Sequence, residues 1–80
     1  MPTVTLFTRR DCCLCDEAHH ALARARAARP FTLQIVDLDA EASAEQRAAY
    51  DQEVPVVELD GRKIMKYRVD EARLLRLLAG

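Results

Sequence analysis

The chain has no tryptophan, two Phe, two Tyr, two Gly, and only three cysteines among its 80 residues. Nowhere does an apolar run approach the roughly 18 residues that cross a bilayer, so no membrane association is expected. The opening stretch MPTVTLFTRR lacks a basic segment followed by a long apolar one, and no signal peptide is read there. A basic excess is missing too: 12 Lys and Arg stand against 13 Asp and Glu, a net charge of -1. That balance argues against a nucleic-acid footprint. No repeat, low-complexity tract or linker interrupts the sequence, and a chain this short holds one core of useful size. A single domain over residues 1–80, monomeric and cytoplasmic, is the expectation. Thiols in that compartment are mostly kept reduced, so clustered cysteines point to redox chemistry or metal before a structural staple.

What is present reads as alternating strands and helices. TVTLFT (3–8) is short, β-branched and aromatic, which suits a strand, and it stops at the charged turn Arg9-Arg10-Asp11. From Cys12 to Arg29 there is no Gly or Pro, and at about 100° per residue Leu14, Ala18, Ala21, Leu22, Ala25 and Ala28 fall on one stripe. Pro30 ends that helix, because the residue before a proline avoids helical geometry. FTLQIVDLD (31–39) is apolar enough to predict a second strand covered on both faces. Ser43 with Gln46 three residues on forms a capping-box pattern for a short second helix. Val56, Val57 and Leu59 predict a strand, Asp60-Gly61 a hairpin turn, and Lys63 to Tyr67 the returning strand. Asp70 caps a closing helix whose apolar face is Leu74, Leu75, Leu77 and Leu78. The order is βαβαββα: an α/β fold with a central four-stranded mixed sheet and helices on both faces.

All the sulfur apart from two methionines lies in CCLC (12–15), at the first strand-to-helix junction. Cys12 and Cys15 make a C-x-x-C inside a βαβ unit, the context of a thioredoxin-like redox motif. The first turn of a helix has unpaired N–H groups and a partial positive charge, which stabilise a thiolate, the reactive form. Cys12 is then the nucleophile. Cys15, one turn on beside the apolar stripe, is the partly buried resolving thiol. Arg9 and Arg10 bring positive charge near Cys12, while Asp11, Asp16 and Glu17 bring negative charge, and the two pull in opposite directions. Cys13 faces away from Cys15 and is either a tolerated residue inside the motif or an exposed third thiol that carries adducts or links chains. A metal site would combine these thiols with His19 and His20, yet zinc ligands usually come from two separate segments and no second cluster exists. No resident metal is expected.

On TLFTRRDCCLC, the βαβαββα order, VPVVELDG and the capped last helix, the chain resembles the glutaredoxin group of the thioredoxin fold over nearly its whole length. Among these, CLCDEA and the short length are most similar to the small bacterial glutaredoxin-like proteins. The resemblance implies a three-layer sandwich, a cis-proline at Val54-Pro55 whose Val54 backbone pairs with a disulfide substrate, and thiol-disulfide exchange by Cys12 and Cys15. It also implies a basic residue before the motif, filled by Arg9 or Arg10, and a substrate contact at Asp70. Two departures stand out. Cys13-Leu14 replaces the usual Pro-Tyr inside the motif, and Lys66, Tyr67 and Arg68 replace a pair of glycines that would let a ligand backbone approach closely. Glutathione is therefore a candidate co-substrate with a poorly matched cradle, and no bound cofactor is expected.

The function expected is a cytoplasmic thiol-disulfide oxidoreductase acting on protein or low-molecular-weight disulfides, recharged by an unidentified electron donor. Two alternatives use the same sequence differently: a metal or iron-sulfur carrier on the same thiols, or a non-catalytic interaction module.

Overall fold

The computed structural model describes residues 1–79. Its elements run β1 (Thr3–Thr8), α1 (Cys13–Ala28), β2 (Thr32–Asp37), α2 (Ala44–Tyr50), β3 (Val56–Leu59), β4 (Arg62–Lys66) and α3 (Glu71–Ala79). The expected βαβαββα order is the observed one. The sheet order is β2-β1-β3-β4. β1 and β2 are parallel, as a crossover through α1 requires, whereas β3 is antiparallel to β1 and β4 antiparallel to β3.

Alternation along β1 divides the core between two faces. Val4 and Leu6 pack with Ala18, Leu22 and Ala25 of α1 and Leu74 of α3. Phe7 points the other way, packing with Leu38 and Val56, and the Tyr50 ring of α2 lies 5.1 Å from its ring. Helices on both faces make the three-layer sandwich. The Tyr50 hydroxyl donates to Glu58 at 2.7 Å, and burial together with that carboxylate pushes its pKa up to about 12.

The turns follow local chemistry. Asp60 (φ 50°) and Gly61 (φ 85°) both lie in the left-handed region that a two-residue hairpin turn of type I′ requires. Asp60 also accepts the Thr3 N–H at 2.9 Å, tying the hairpin to the start of β1. Ser43 and Gln46 form the reciprocal cap that opens α2.

Three expectations need correction. β2 is an edge strand, with Thr32, Gln34 and Ile35 exposed, because α2 spans only Ala44–Tyr50 and covers one end of its face. On α1 the buried stripe is Cys15, Ala18, Ala21, Leu22 and Ala25; Leu14 and Ala28 sit at its margins and are exposed. On α3 Leu74 is buried and Leu75 and Leu78 are half-buried, but Leu77 faces outward.

Candidate active site

β1 delivers the chain to a short loop in which Asp11 takes a left-handed φ of 55°. Cys12 follows as the N-cap of α1, in extended geometry, and its Sγ accepts the Cys15 backbone N–H at 3.2 Å. A sulfur thus stands where a Ser or Asp side chain usually caps a helix. Cys12 is half-buried, Cys13 exposed, and Cys15 only 2% exposed; all three are free thiols. Burial pushes the Cys15 thiol up, and the Cys12 side chain pushes it further. The Thr8 side chain and the Arg9 backbone act in the opposite direction.

Arg9 is held by carboxylates rather than left free beside the thiols. Its guanidinium binds Asp39 (Nε to Oδ2, 2.9 Å) and Asp51 (Nη2 to Oδ1, 2.8 Å), and donates to the Asp51 carbonyl at 3.0 Å. Two carboxylates therefore offset its charge, while Arg9 in turn holds the Asp51 carboxyl below the usual range. The clamp fastens the loop before Cys12 to the segments around α2. Arg10 is exposed and makes no side-chain hydrogen bond or ion pair among the described residues.

The second wall of the site comes from the β3 side. The register pairs Phe7 with Val56, so Pro55 lies beside the end of β1 from which the Cys12 loop departs. The Val54–Pro55 peptide bond is cis, Pro55 is buried and Val54 half-buried. Among the described residues, neither the Val54 N–H nor its C=O takes part in a turn, loop or cap hydrogen bond. The Pro55 carbonyl accepts the Tyr67 N–H at 2.8 Å, bringing the β4–α3 connection against this junction. There the Arg68 N–H closes onto the Lys66 carbonyl at 2.8 Å around Tyr67, whose φ is 68°. This is a γ-turn with its central residue left-handed, a strained form for a residue with a Cβ.

Asp70 has a structural occupation: its Oδ1 accepts the Arg73 N–H at 3.0 Å and its carbonyl the Leu74 N–H at 3.0 Å, so it caps α3. Between α1 and residues 67–71 runs a groove of about 370 Å3, bordered by Leu14, His20, Arg24, Tyr67, Arg68 and Val69. The Arg24–Glu71 ion pair (2.6 Å) bridges the two helices on its border. His19 and His20 are exposed with ring centroids 6.4 Å apart. Among the described residues no group of three Cys, His, Asp or Glu side chains converges as metal ligands, and no helix is long and apolar enough to cross a membrane.

Sequence reasoning located the thiols and the proline but missed the Arg9 clamp, the Tyr67 turn and the groove. Arg9 meets partners 30 and 42 positions away, for which the sequence carries no local signal.

A capped thiol pair beside a proline junction, on this sheet, places the protein in the thioredoxin-fold class, with thiol oxidoreductase as its general type. The profile of the glutaredoxin-like domain (DUF836) matches residues 3–79, and the chain belongs to that family. It is 37% identical over 76 residues to an uncharacterized Mycobacterium tuberculosis protein, covering 91% of this chain and 78% of that one. A structural-genomics target from X. campestris superposes with a TM-score of 0.73 at 36% identity, over 95% of each chain. A glutaredoxin from Archaeoglobus fulgidus shares the fold, with a TM-score of 0.63 at 18% identity, over all of this chain and 89% of that one.

Proposed function

We propose that this protein is a dithiol oxidoreductase in which Cys12 attacks and Cys15 resolves. The observation carrying this reading is the Cys15 N–H donated to the Cys12 sulfur at 3.2 Å at the start of α1, with the second thiol buried one turn on. A negative sulfur there accepts a hydrogen bond and meets the positive end of the helix dipole. Cys12 as thiolate attacks one sulfur of a substrate disulfide; a mixed disulfide forms, and the other substrate sulfur leaves as a thiolate. Cys15, its thiol held protonated by burial and by the neighbouring Cys12 sulfur, does not compete in that step. Once Cys12 is bonded, its negative charge is gone. Cys15 then loses its proton, attacks Cys12, and releases the second substrate sulfur. The Cys15 proton passes to the first departing thiolate, and the second substrate sulfur leaves as a thiolate that takes its proton from solvent. The substrate has gained two electrons while the protein holds a Cys12–Cys15 disulfide. An external thiol donor in the cytoplasm reverses that bond.

The unoccupied backbone groups of Val54 suit a substrate strand laid across Cys12 beside Pro55. Protein disulfides are the preferred substrates. Glutathione-type disulfides would have to pass the Tyr67 and Arg68 side chains, which stand where the resemblance implies glycine. The capping role of Asp70 leaves its carboxylate partly engaged with the α3 backbone.

Replacing Cys15 with Ser tests the order of attack. Incubated with a cystine-containing peptide, the C15S protein is expected to accumulate a stable mixed disulfide that peptide mapping places on Cys12. An adduct on Cys13 alone would reverse the assignment.

A further inference from the structure

Charge is divided along this chain: residues 61–80 carry six Lys or Arg against two Asp or Glu, whereas residues 1–60 carry six against eleven. The fold gathers much of that basic excess beside the site. A second hollow, about 380 Å3, is lined by Lys63, Lys66, Arg68 and Arg73 together with Asp70. Four basic side chains there face Asp70 and the neighbouring Glu53, so positive charge stays in excess, centred on Arg68 and Arg73, whose side chains pair with neither carboxylate. Glu53, alongside, receives both Lys63 (2.8 Å) and Lys66 (3.7 Å), and Asp70 accepts from the α3 backbone. Arg73 is spent on a carbonyl, donating to Ile64 O at 2.6 Å, which leaves its charge uncompensated.

Arg68 joins the two hollows. It borders the groove that begins at Leu14, inside the C-x-x-C, and also the basic hollow on β4. Its side chain is exposed and makes no hydrogen bond or ion pair among the described residues. The strained turn at Tyr67, anchored to the Pro55 carbonyl, holds it in place beside the proline junction. Backbone strain at an exposed residue next to a reactive site calls for a reason, and setting Arg68 is a sufficient one.

We propose that this basic face, with Arg68 as its specificity-determining residue, docks an acidic polypeptide whose disulfide Cys12 attacks. This rests on the dithiol reading above. The occupant must carry a disulfide, which excludes a nucleic acid. A run of basic groups from Arg68 to Lys63, continuous with an apolar wall at Leu14 and Tyr67, extends beyond one small thiol and matches a peptide with several carboxylates. Opposite charge on such faces acts mainly on encounter rate and selectivity, and is screened by salt.

The test compares three oxidised substrates in single-turnover reduction by the reduced protein: matched cystine peptides flanked by Asp and Glu or by Lys and Arg, and glutathione disulfide. At low salt the acidic peptide is expected to react about ten times faster than the basic one, and high salt to shrink the gap. Arg68→Glu is expected to erase or invert that ratio, while Arg26→Glu, the same change of net charge on α1, keeps it. Equal rates for both peptides, a ratio insensitive to Arg68→Glu, or glutathione disulfide outrunning the acidic peptide would overturn the proposal. Fluorescence anisotropy of a labelled acidic peptide without cysteine separates docking from chemistry. If no disulfide reacts, the dithiol reading fails, and docking is judged by whether Arg68→Glu weakens that binding. No binding, or binding unchanged by the substitution, overturns it independently.

Discussion

Cys12→Ser is expected to abolish disulfide reduction, lowering the rate by more than about a thousandfold, since removing an enzyme's nucleophile removes the covalent route itself. A serine hydroxyl stays protonated at neutral pH and forms no bond that a thiol can later break. The substitution is unusually clean because position 12 is a helix cap whose sulfur accepts the Cys15 N–H. Serine is a preferred capping residue, so the variant keeps or improves the start of α1. Activity should therefore vanish while the thermal midpoint holds or rises. Cys13→Ser, at the exposed neighbour, is expected to retain exchange. An insulin-reduction assay with circular dichroism melting on the same samples checks both. Residual activity in C12S near the wild-type level, or its transfer to Cys13, would remove Cys12 from the nucleophile's role.

The second large effect is on folding. Leu22 is fully buried between β1, α3 and the rest of α1. Leu22→Ala should cost about 2–5 kcal/mol, the transfer term plus the cavity left behind. Small domains hold roughly 5–15 kcal/mol in total, so much of the stability goes with one side chain. For a chain of this size each kcal/mol moves the midpoint by about 4–8 °C, and a fall of roughly 8 °C or more is expected. Leu14→Ala, two turns earlier and 37% exposed, should change stability by less than about 0.5 kcal/mol. Urea unfolding of the pair measures the contrast. Equal losses would mean that Leu14 is packed as the sequence periodicity alone suggested.

That contrast also shows what the sequence carried. Local signals survived: Asp60-Gly61 made its turn, Ser43 and Gln46 their cap, Asp70 its helix start, and the β-branched runs their strands. Helical periodicity gave the direction of the α1 stripe but not its width. Cys15 occupies the centre with Ala18 and Leu22, which leaves Leu14 and Ala28 outside it. The apolar composition of β2 suggested burial on both faces, but burial depends on what covers a strand. A seven-residue α2 reaches only the end of the sheet near Phe7 and Leu38. At the site, the thiols and the proline were legible because C-x-x-C and Val-Pro are local patterns. The Arg9 clamp and the groove were not, since both arise from residues brought together only by the fold. Tyr67 is the extreme case: its left-handed turn sits against the Pro55 carbonyl, twelve positions away, and nothing in Lys66-Tyr67-Arg68 announces it.

The most direct measurement is equilibration of the protein in graded glutathione redox buffers, acid-quenched and mapped by mass spectrometry. A Cys12–Cys15 disulfide that forms over a defined potential range, with Cys13 remaining a thiol or carrying only a removable adduct, is the expected result. Thiols that stay reduced throughout, or bonds formed only between chains through Cys13, would contradict the dithiol mechanism.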